Sequence, residues 1–71
     1  MSIARVVEIS SRSDKSFENA IEEGIAKVAK THRDIKSAWV KEQKVRIQNG
    51  TINAYQVILK VTFLIDDGAS V

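Results

Sequence analysis

The residues best suited to chemistry are one tryptophan and a set of amide and cationic side chains in the second half of the chain. Trp39 opens a polar run, and Lys41 and Gln43 follow it at alternate positions. Gln56 and Lys60 lie in a later, mostly apolar run with alternating spacing. An indole offers a plane on which a flat group stacks, and amides both donate and accept hydrogen bonds. Together these residue types predict a surface for a planar ligand with a polar edge.

A tight turn brings the two runs together. Asn49–Gly50 stands between them and predicts a two-residue hairpin turn of type I′. This turn sets Trp39 opposite Lys60 and Gln43 opposite Gln56, and paired side chains share one face of a sheet. The predicted surface consists of Trp39, Lys41, Gln43, Gln56, Ile58 and Lys60.

The same pairing creates a conflict on the other face of the hairpin. Charged residues of the first arm then lie beside residues that should pack under a helix: Glu42, Lys44 and Arg46 beside Val57, Tyr55 and Asn53. Either the strand extends beyond the helix, or a β-bulge shifts the pairing. The sequence leaves both explanations open.

A helix and a further strand must support this hairpin. Residues 2–10 alternate with β-branched side chains and predict a strand. Apolar residues at helical spacing predict a helix over residues 14–31, with Ser13 as its N-cap and His32 at its last turn. Gly24 on the inner face of this helix predicts close packing against a strand.

The hairpin arms complete the fold. We predict strands over residues 36–48 and 51–65, followed by a loose tail at 66–71. The last strand is apolar on both faces and therefore belongs in the centre of the sheet. The fold class is then α+β, with β-α-β-β order and a three-stranded antiparallel sheet of order 1-3-2 wrapped around one helix. One helix covers one face only, so apolar groups on the other face predict an interface.

Size and composition limit the functional classes. The chain has 71 residues, which predicts a single domain (1–71) with a small core that association would stabilise. Its net charge is +2 and is spread along the chain, which does not favour a nucleic-acid partner. Cysteine is absent, and the opening MSIARVVEIS lacks the apolar run of a signal peptide. We therefore expect a cytoplasmic protein with no membrane span.

The sequence contains no constellation of catalytic residues. His32 is the single histidine, and one histidine without a partner makes neither a metal site nor a catalytic triad. No nucleophile with a base is evident. We predict no catalytic residues, no metal site and no enzymatic activity.

Several short motifs, in this order and spacing, resemble the dodecins, which are small flavin-binding proteins of β-α-β-β fold. The motifs are SFENAIEEGIAKVAKT over residues 16–31, the tryptophan at the start of the second strand, the Asn-Gly turn, and YQV followed by VTF in the third strand. The resemblance covers nearly the whole chain.

The resemblance implies a hollow homododecamer in which two flavins stack between symmetry-related tryptophans. Trp39 is then the stacking residue, Gln56 the amide at the polar edge of the ring, and Arg46 the contact to a phosphate. The implied ligand is FMN, with riboflavin or FAD as further candidates and coenzyme A as a possible second ligand. Indole also quenches excited flavin by electron transfer, so the implied function is flavin storage and protection rather than catalysis.

Two other functions compete with flavin binding. A single-stranded nucleic-acid-binding sheet would use Trp39 for stacking and Lys41, Lys60 and Arg46 for phosphates, with strongly salt-dependent binding. A structural oligomer without ligand would use Trp39 as an interface residue.

Overall fold

Three strands and one helix follow one another as β-α-β-β in the computed structural model, which describes residues 3–66. They are β1 (Ile3–Ser13), α1 (Phe17–Ala29), β2 (Ile35–Gln48) and β3 (Thr51–Asp66). β3 lies between β1 and β2 and is antiparallel to both, so the predicted order 1-3-2 is confirmed. Of the predicted tail at 66–71, Asp66 belongs to β3, and residues 67–71 lie outside the described part.

The helix begins three residues later than predicted, at Phe17. Ser13 pairs with Tyr55 in the sheet, so β1 continues to this residue. Ser16 is the N-cap, and its hydroxyl accepts a hydrogen bond from the Asn19 N–H at 2.9 Å. The prediction of Ser13 as N-cap is therefore wrong, because Ser16, directly before Phe17, satisfies the free N–H group. The Ser13 hydroxyl instead accepts from the Lys15 N–H at 2.9 Å and closes the turn between β1 and α1.

The helix also ends earlier than predicted. Its last residue is Ala29, and Lys30 is the C-cap. His32 follows the helix, where its N–H donates to the Val28 carbonyl at 3.0 Å and its ring lies 4.6 Å from the Phe63 ring centroid. His32 thus packs on the sheet beyond the last turn of α1.

The core lies between α1 and one face of β3. Val57, Leu59 and Val61 are fully buried, and Ala20 and Val28 face them from the helix. Gly24 is buried against β1, where an added Cβ would lie 3.1 Å from the Ser11 Cβ. The predicted close approach at Gly24 is confirmed, since only a residue without a side chain leaves this space free.

The hairpin turn forms as predicted. Asn49 and Gly50 have φ angles of 53° and 73°, and positive φ at both central residues defines a type I′ turn. Gln48 lies opposite Thr51, and farther from the turn Trp39 lies opposite Lys60. The pairing of Trp39 with Lys60 matches the prediction.

Between these two points the register differs from the prediction. It shifts at Arg46/Ile47 and again at Val40/Glu42, so Gln56 faces Lys44 and not Gln43. The predicted Gln43–Gln56 pairing is wrong by one residue because β-bulges interrupt the ladder.

The bulges remove the conflict on the helix face. Val45, rather than Lys44, lies opposite Tyr55, whose ring contacts Phe17 with 5.2 Å between centroids. Lys44 and Arg46 lie on the face that the helix leaves uncovered, which we call the open face. The open face comprises Val6, Glu8, Ser10 and Arg12 of β1, Ala54, Gln56, Ile58 and Lys60 of β3, and Trp39, Glu42, Lys44 and Arg46 of β2.

The hairpin also extends beyond the helix. With 16 residues β3 spans roughly 53 Å, whereas the 13 residues of α1 span about 20 Å. The described residues accordingly extend over 56 × 19 × 14 Å. Both explanations of the sequence conflict therefore hold together: the hairpin is longer than the helix, and bulges shift its pairing.

Candidate functional site

Trp39 is the most exposed of the large apolar side chains. It lies on β2 with 64% of its surface exposed, on the open face of the sheet. The Lys60 ammonium group lies 5.3 Å from the centroid of the indole ring, which is within cation–π range. Among residues 3–66, no other aromatic ring or cation contacts this indole. Trp39 thus presents an aromatic plane that a flat ligand can reach.

A row of charged residues crosses the sheet at the level of Trp39. Glu8 on β1 lies opposite Lys60, which lies opposite Trp39. The Lys41 Nζ atom lies 3.5 Å from Glu8 Oε2 and so reaches over the central strand. The side chain of Lys41 therefore extends over the open face, as predicted, although Lys41 itself lies in a bulge and has no partner on β3.

Gln56 lies in the middle of the open face and is partly buried. Its Nε2 atom donates a hydrogen bond to the Ser10 hydroxyl at 3.2 Å. That bond orients the amide and leaves its carbonyl oxygen and second N–H available to a ligand. An amide held in this way can pair with a planar group that carries an N–H beside a carbonyl, through two hydrogen bonds.

Arg46 lies closer to the hairpin turn, in a separate polar cavity. The residue is opposite Ala54 on the open face and is exposed. The cavity has a volume of about 170 Å³. We call it the arginine cavity; its lining residues are Arg12, Ser13, Asp14, Arg46, Asn53 and Ala54.

The three predicted site residues lie on one face but are spread along it. Lys60, which marks the level of Trp39, is four residues from Gln56, or roughly 13 Å along β3. Ala54, which marks the level of Arg46, is six residues from Lys60, or roughly 20 Å. Trp39 and Gln56 are therefore spaced for an extended ring system, and Arg46 lies nearer to Gln56 than to the indole.

Two cationic residues, Arg12 and Lys44, were not predicted near Gln56 from the sequence. Lys44 was predicted on the helix face, and Arg12 was not considered for the site. Both lie directly opposite Gln56, Arg12 on β1 and Lys44 on β2. Alternation from Glu8 through Ser10 could have placed Arg12 on the open face, whereas Lys44 depends on a bulge that the sequence does not mark.

The described residues contain no group of three or more His, Cys, Asp or Glu side chains able to hold a metal ion. The one helix in residues 3–66 is too short and too polar to cross a membrane. The candidate site consists of the aromatic plane of Trp39, the oriented amide of Gln56 and several cationic side chains.

The fold and the site define a class: small β-α-β-β proteins whose helix covers one sheet face and whose other face carries an accessible aromatic plane. The family model for dodecin matches residues 3–66, so the chain belongs to the dodecin family. This is a family of small flavin-binding proteins, and it implies a homo-oligomer.

Solved dodecin structures agree with this assignment. The dodecin from Streptomyces davaonensis is 29% identical, with a TM-score of 0.85 and coverage of 93% of this chain and 97% of its own. An arginine-to-alanine variant of the Thermus thermophilus dodecin is 30% identical, with a TM-score of 0.88 and coverage of 94% and 100%.

A third similar structure is the calcium dodecin of Mycobacterium tuberculosis, described as a calcium-chelating immunodominant antigen with a novel calcium-binding site. It is 32% identical, with a TM-score of 0.77 and coverage of 87% of this chain and 89% of its own. A comparison with curated proteins found no match.

Proposed function

We propose that this chain is a non-catalytic flavin-storage protein that binds FMN by stacking it on Trp39 within a homododecameric shell. The observation that carries the proposal is the indole of Trp39, 64% exposed on a sheet face that the helix leaves uncovered. In a chain of this size, such a large exposed ring on an open face is typical of a binding surface. Membership in a flavin-binding family supports the choice of ligand.

Stacking supplies the main binding free energy in this proposal. A base stacked on an aromatic side chain gains about 1 to 3 kcal/mol in nucleic-acid systems, and the larger isoalloxazine ring gains at least as much. The Gln56 amide adds specificity at the ring edge, since Ser10 already orients it. Arg46 contacts the phosphate.

The distance between Trp39 and Arg46 restricts how one flavin can contact both residues. Arg46 lies roughly 20 Å from the level of Trp39 along β3, which is long for one FMN molecule stacked squarely on that indole. The flavin must therefore lie off the centre of the indole towards Gln56, with its ribityl chain and the Arg46 side chain extended towards each other.

Quenching follows from the contact between indole and ring. An excited flavin accepts one electron from the indole, and the electron returns to the indole as the flavin regains its ground state. No net oxidation occurs, so the flavin is protected from photochemistry while it is stored.

The test is an FMN titration of apoprotein, followed by loss of flavin fluorescence, on the wild type, Trp39→Ala and Trp39→Phe. We expect quenching in the wild type and affinity that is roughly 5- to 150-fold weaker in Trp39→Ala, because the stacking surface is lost. Trp39→Phe should retain more affinity but leave the bound flavin brighter, since phenylalanine is a poorer electron donor.

Ile65→Ala is the control, because Ile65 is an apolar residue with similar exposure, 61%, at the far end of β3. It should leave quenching unchanged. If FMN stays fully fluorescent with every variant and with the wild type, the proposal is wrong. Binding of single-stranded oligonucleotides that weakens steeply with salt would then favour the nucleic-acid function instead.

A further inference from the structure

Two arginine residues line the arginine cavity. Arg12 and Arg46 line it together with one carboxylate, Asp14. Within residues 3–66 the ion pair in contact joins Lys41 to Glu8, so neither arginine contacts a carboxylate. Two arginines against one carboxylate leave the cavity with an excess of positive charge, which favours a bound anion.

The sheet register explains why the two arginines converge. Arg12 on β1 lies opposite Gln56, and Arg46 on β2 lies opposite Ala54, so they flank the central strand from its two sides. Neighbouring strands lie about 4.8 Å apart, which puts the backbones of β1 and β2 about 10 Å from each other. Two arginine side chains bridge that distance easily.

Ala54 provides the space between them. It is 6% exposed although it lies on the open face, and it forms part of the cavity wall. A larger side chain here would fill the gap between the arginines. A methyl group leaves room for a compact group over the central strand.

The chemistry of the cavity selects an oxyanion. Guanidinium groups bind phosphate through paired N–H···O contacts, and two of them match the double charge of a phosphomonoester. Gln56 lies directly beside Arg12 in the sheet. A ligand bound at the Gln56 amide therefore has its charged groups within reach of the cavity.

We propose that Arg12, together with Arg46, binds the phosphomonoester of the flavin and makes the protein select FMN over riboflavin. The proposal rests on flavin binding as the function of the open face. It adds Arg12 as a specificity-determining residue and makes the arginine pair, rather than Arg46 alone, the phosphate site.

The experiment compares FMN with riboflavin, which lacks the phosphate, on wild-type protein, Arg12→Gln and the double variant Arg12→Gln/Arg46→Gln. We expect Arg12→Gln to weaken FMN binding by about tenfold or more, because hydrogen bonds to a charged group are lost. Riboflavin affinity should stay within about twofold of wild type. In the double variant the two flavins should bind almost equally.

Two further variants distinguish the effect of the paired N–H donors of Arg12 from the effect of positive charge alone. Arg33→Gln removes the same charge from an exposed loop residue outside the cavity and should leave the FMN-to-riboflavin ratio unchanged. Arg12→Lys keeps the charge but loses the paired donors, and should give an intermediate ratio. Riboflavin binding and oligomer mass report whether each variant is folded.

Three outcomes of these titrations would overturn the inference, and each identifies a different error. If both flavins bind and their affinity ratio is the same in wild type and Arg12→Gln, the phosphate role of Arg12 is wrong while flavin binding stands. If neither flavin binds the wild type, flavin binding itself is wrong and this inference with it. Loss of coenzyme A binding in Arg12→Gln, with an unchanged flavin ratio, would assign the cavity to the phosphates of another ligand and also overturn the inference.

Discussion

The indole of Trp39 already has a partner before any ligand arrives. The Lys60 ammonium lies 5.3 Å from its ring centroid, and Glu8 lies opposite Lys60 on the neighbouring strand. A cation–π contact at an exposed site contributes about 0.5 to 1 kcal/mol. A ring that stacks on this side of the indole must displace the ammonium group.

Lys60→Met should therefore increase the affinity for riboflavin by roughly two- to fivefold, because the displacement cost disappears. Methionine retains an unbranched side chain, and riboflavin is uncharged, so loss of a cation has no direct effect on the ligand. Fluorescence titration measures the change. Lys15→Met, in the exposed turn before the helix, is the control. Unchanged affinity would mean that the ligand uses the other face of the indole.

The sequence predicted the pairing of Trp39 with Lys60 correctly, but only because two bulges that the sequence does not mark cancel each other. β3 has an extra residue at Asn53 and β2 has one at Lys41, and these two bulges cancel. Trp39 therefore returns to the register set by the turn, while residues between the bulges do not. A bulge depends on the packing of the whole sheet, which is why Gln43 was placed wrongly beside Gln56.

The helix and β1 pack together at Gly24 with no free volume between them. A Cβ at Gly24 would lie 3.1 Å from the Ser11 Cβ and 3.4 Å from an Ile9 methyl group. The Ser11 hydroxyl donates to the Ala20 carbonyl at 2.7 Å, which fixes the same contact from the strand. The glycine thus sets the distance between helix and sheet.

Gly24→Ala should leave stability within about 1 kcal/mol of wild type, because improved helix propensity offsets the tight contact. Gly24→Val should be less stable by about 1 to 3 kcal/mol, since its larger side chain forces the helix away from β1. Urea unfolding followed by circular dichroism measures both. Ala26→Val, at an exposed helix position, controls for the propensity of valine. Equal stability of Gly24→Val and Ala26→Val would contradict the packing argument.

Periodicity predicted the type and order of every element, because strands and the helix bury their apolar residues at different spacing. The helix start was not predictable in the same way. Ser13 and Ser16 both offer a capping hydroxyl, and only the pairing of Ser13 with Tyr55 assigns the first to β1.

The core lies on one side of the sheet only, the side that the helix covers. The largest fully buried side chains, Val57, Leu59 and Val61, all belong to the helix face of β3. On the open face, Val6 is 54% exposed. Near the hairpin turn, Ile47 and Ile52 lie opposite each other with 59% and 46% exposure. A short chain with such a core gains much of its stability from neighbours in the homo-oligomer.

Ile52→Glu should dissociate the homo-oligomer into smaller species, because a charge without a partner is costly to bury in an interface. Light scattering coupled to size-exclusion chromatography measures the mass. Ala26→Glu, on the exposed surface of the helix, should keep the wild-type mass. An unchanged mass for Ile52→Glu would show that this end of the hairpin is not in an interface.

The outer edge of β2 bears on aggregation. β2 is an edge strand, and register shifts at Ile35/Ser37 and Val40/Glu42 leave Lys36 and Lys41 without partners on β3. Bulges and lysines on an edge oppose the addition of another strand, which is how natural sheets avoid fibril growth. β1 has a shift only at its start, between Ile3 and Ala4, and its edge is otherwise regular. A chain built to join its neighbours thus carries one edge that resists open-ended β-sheet growth, which favours closed assemblies over fibres.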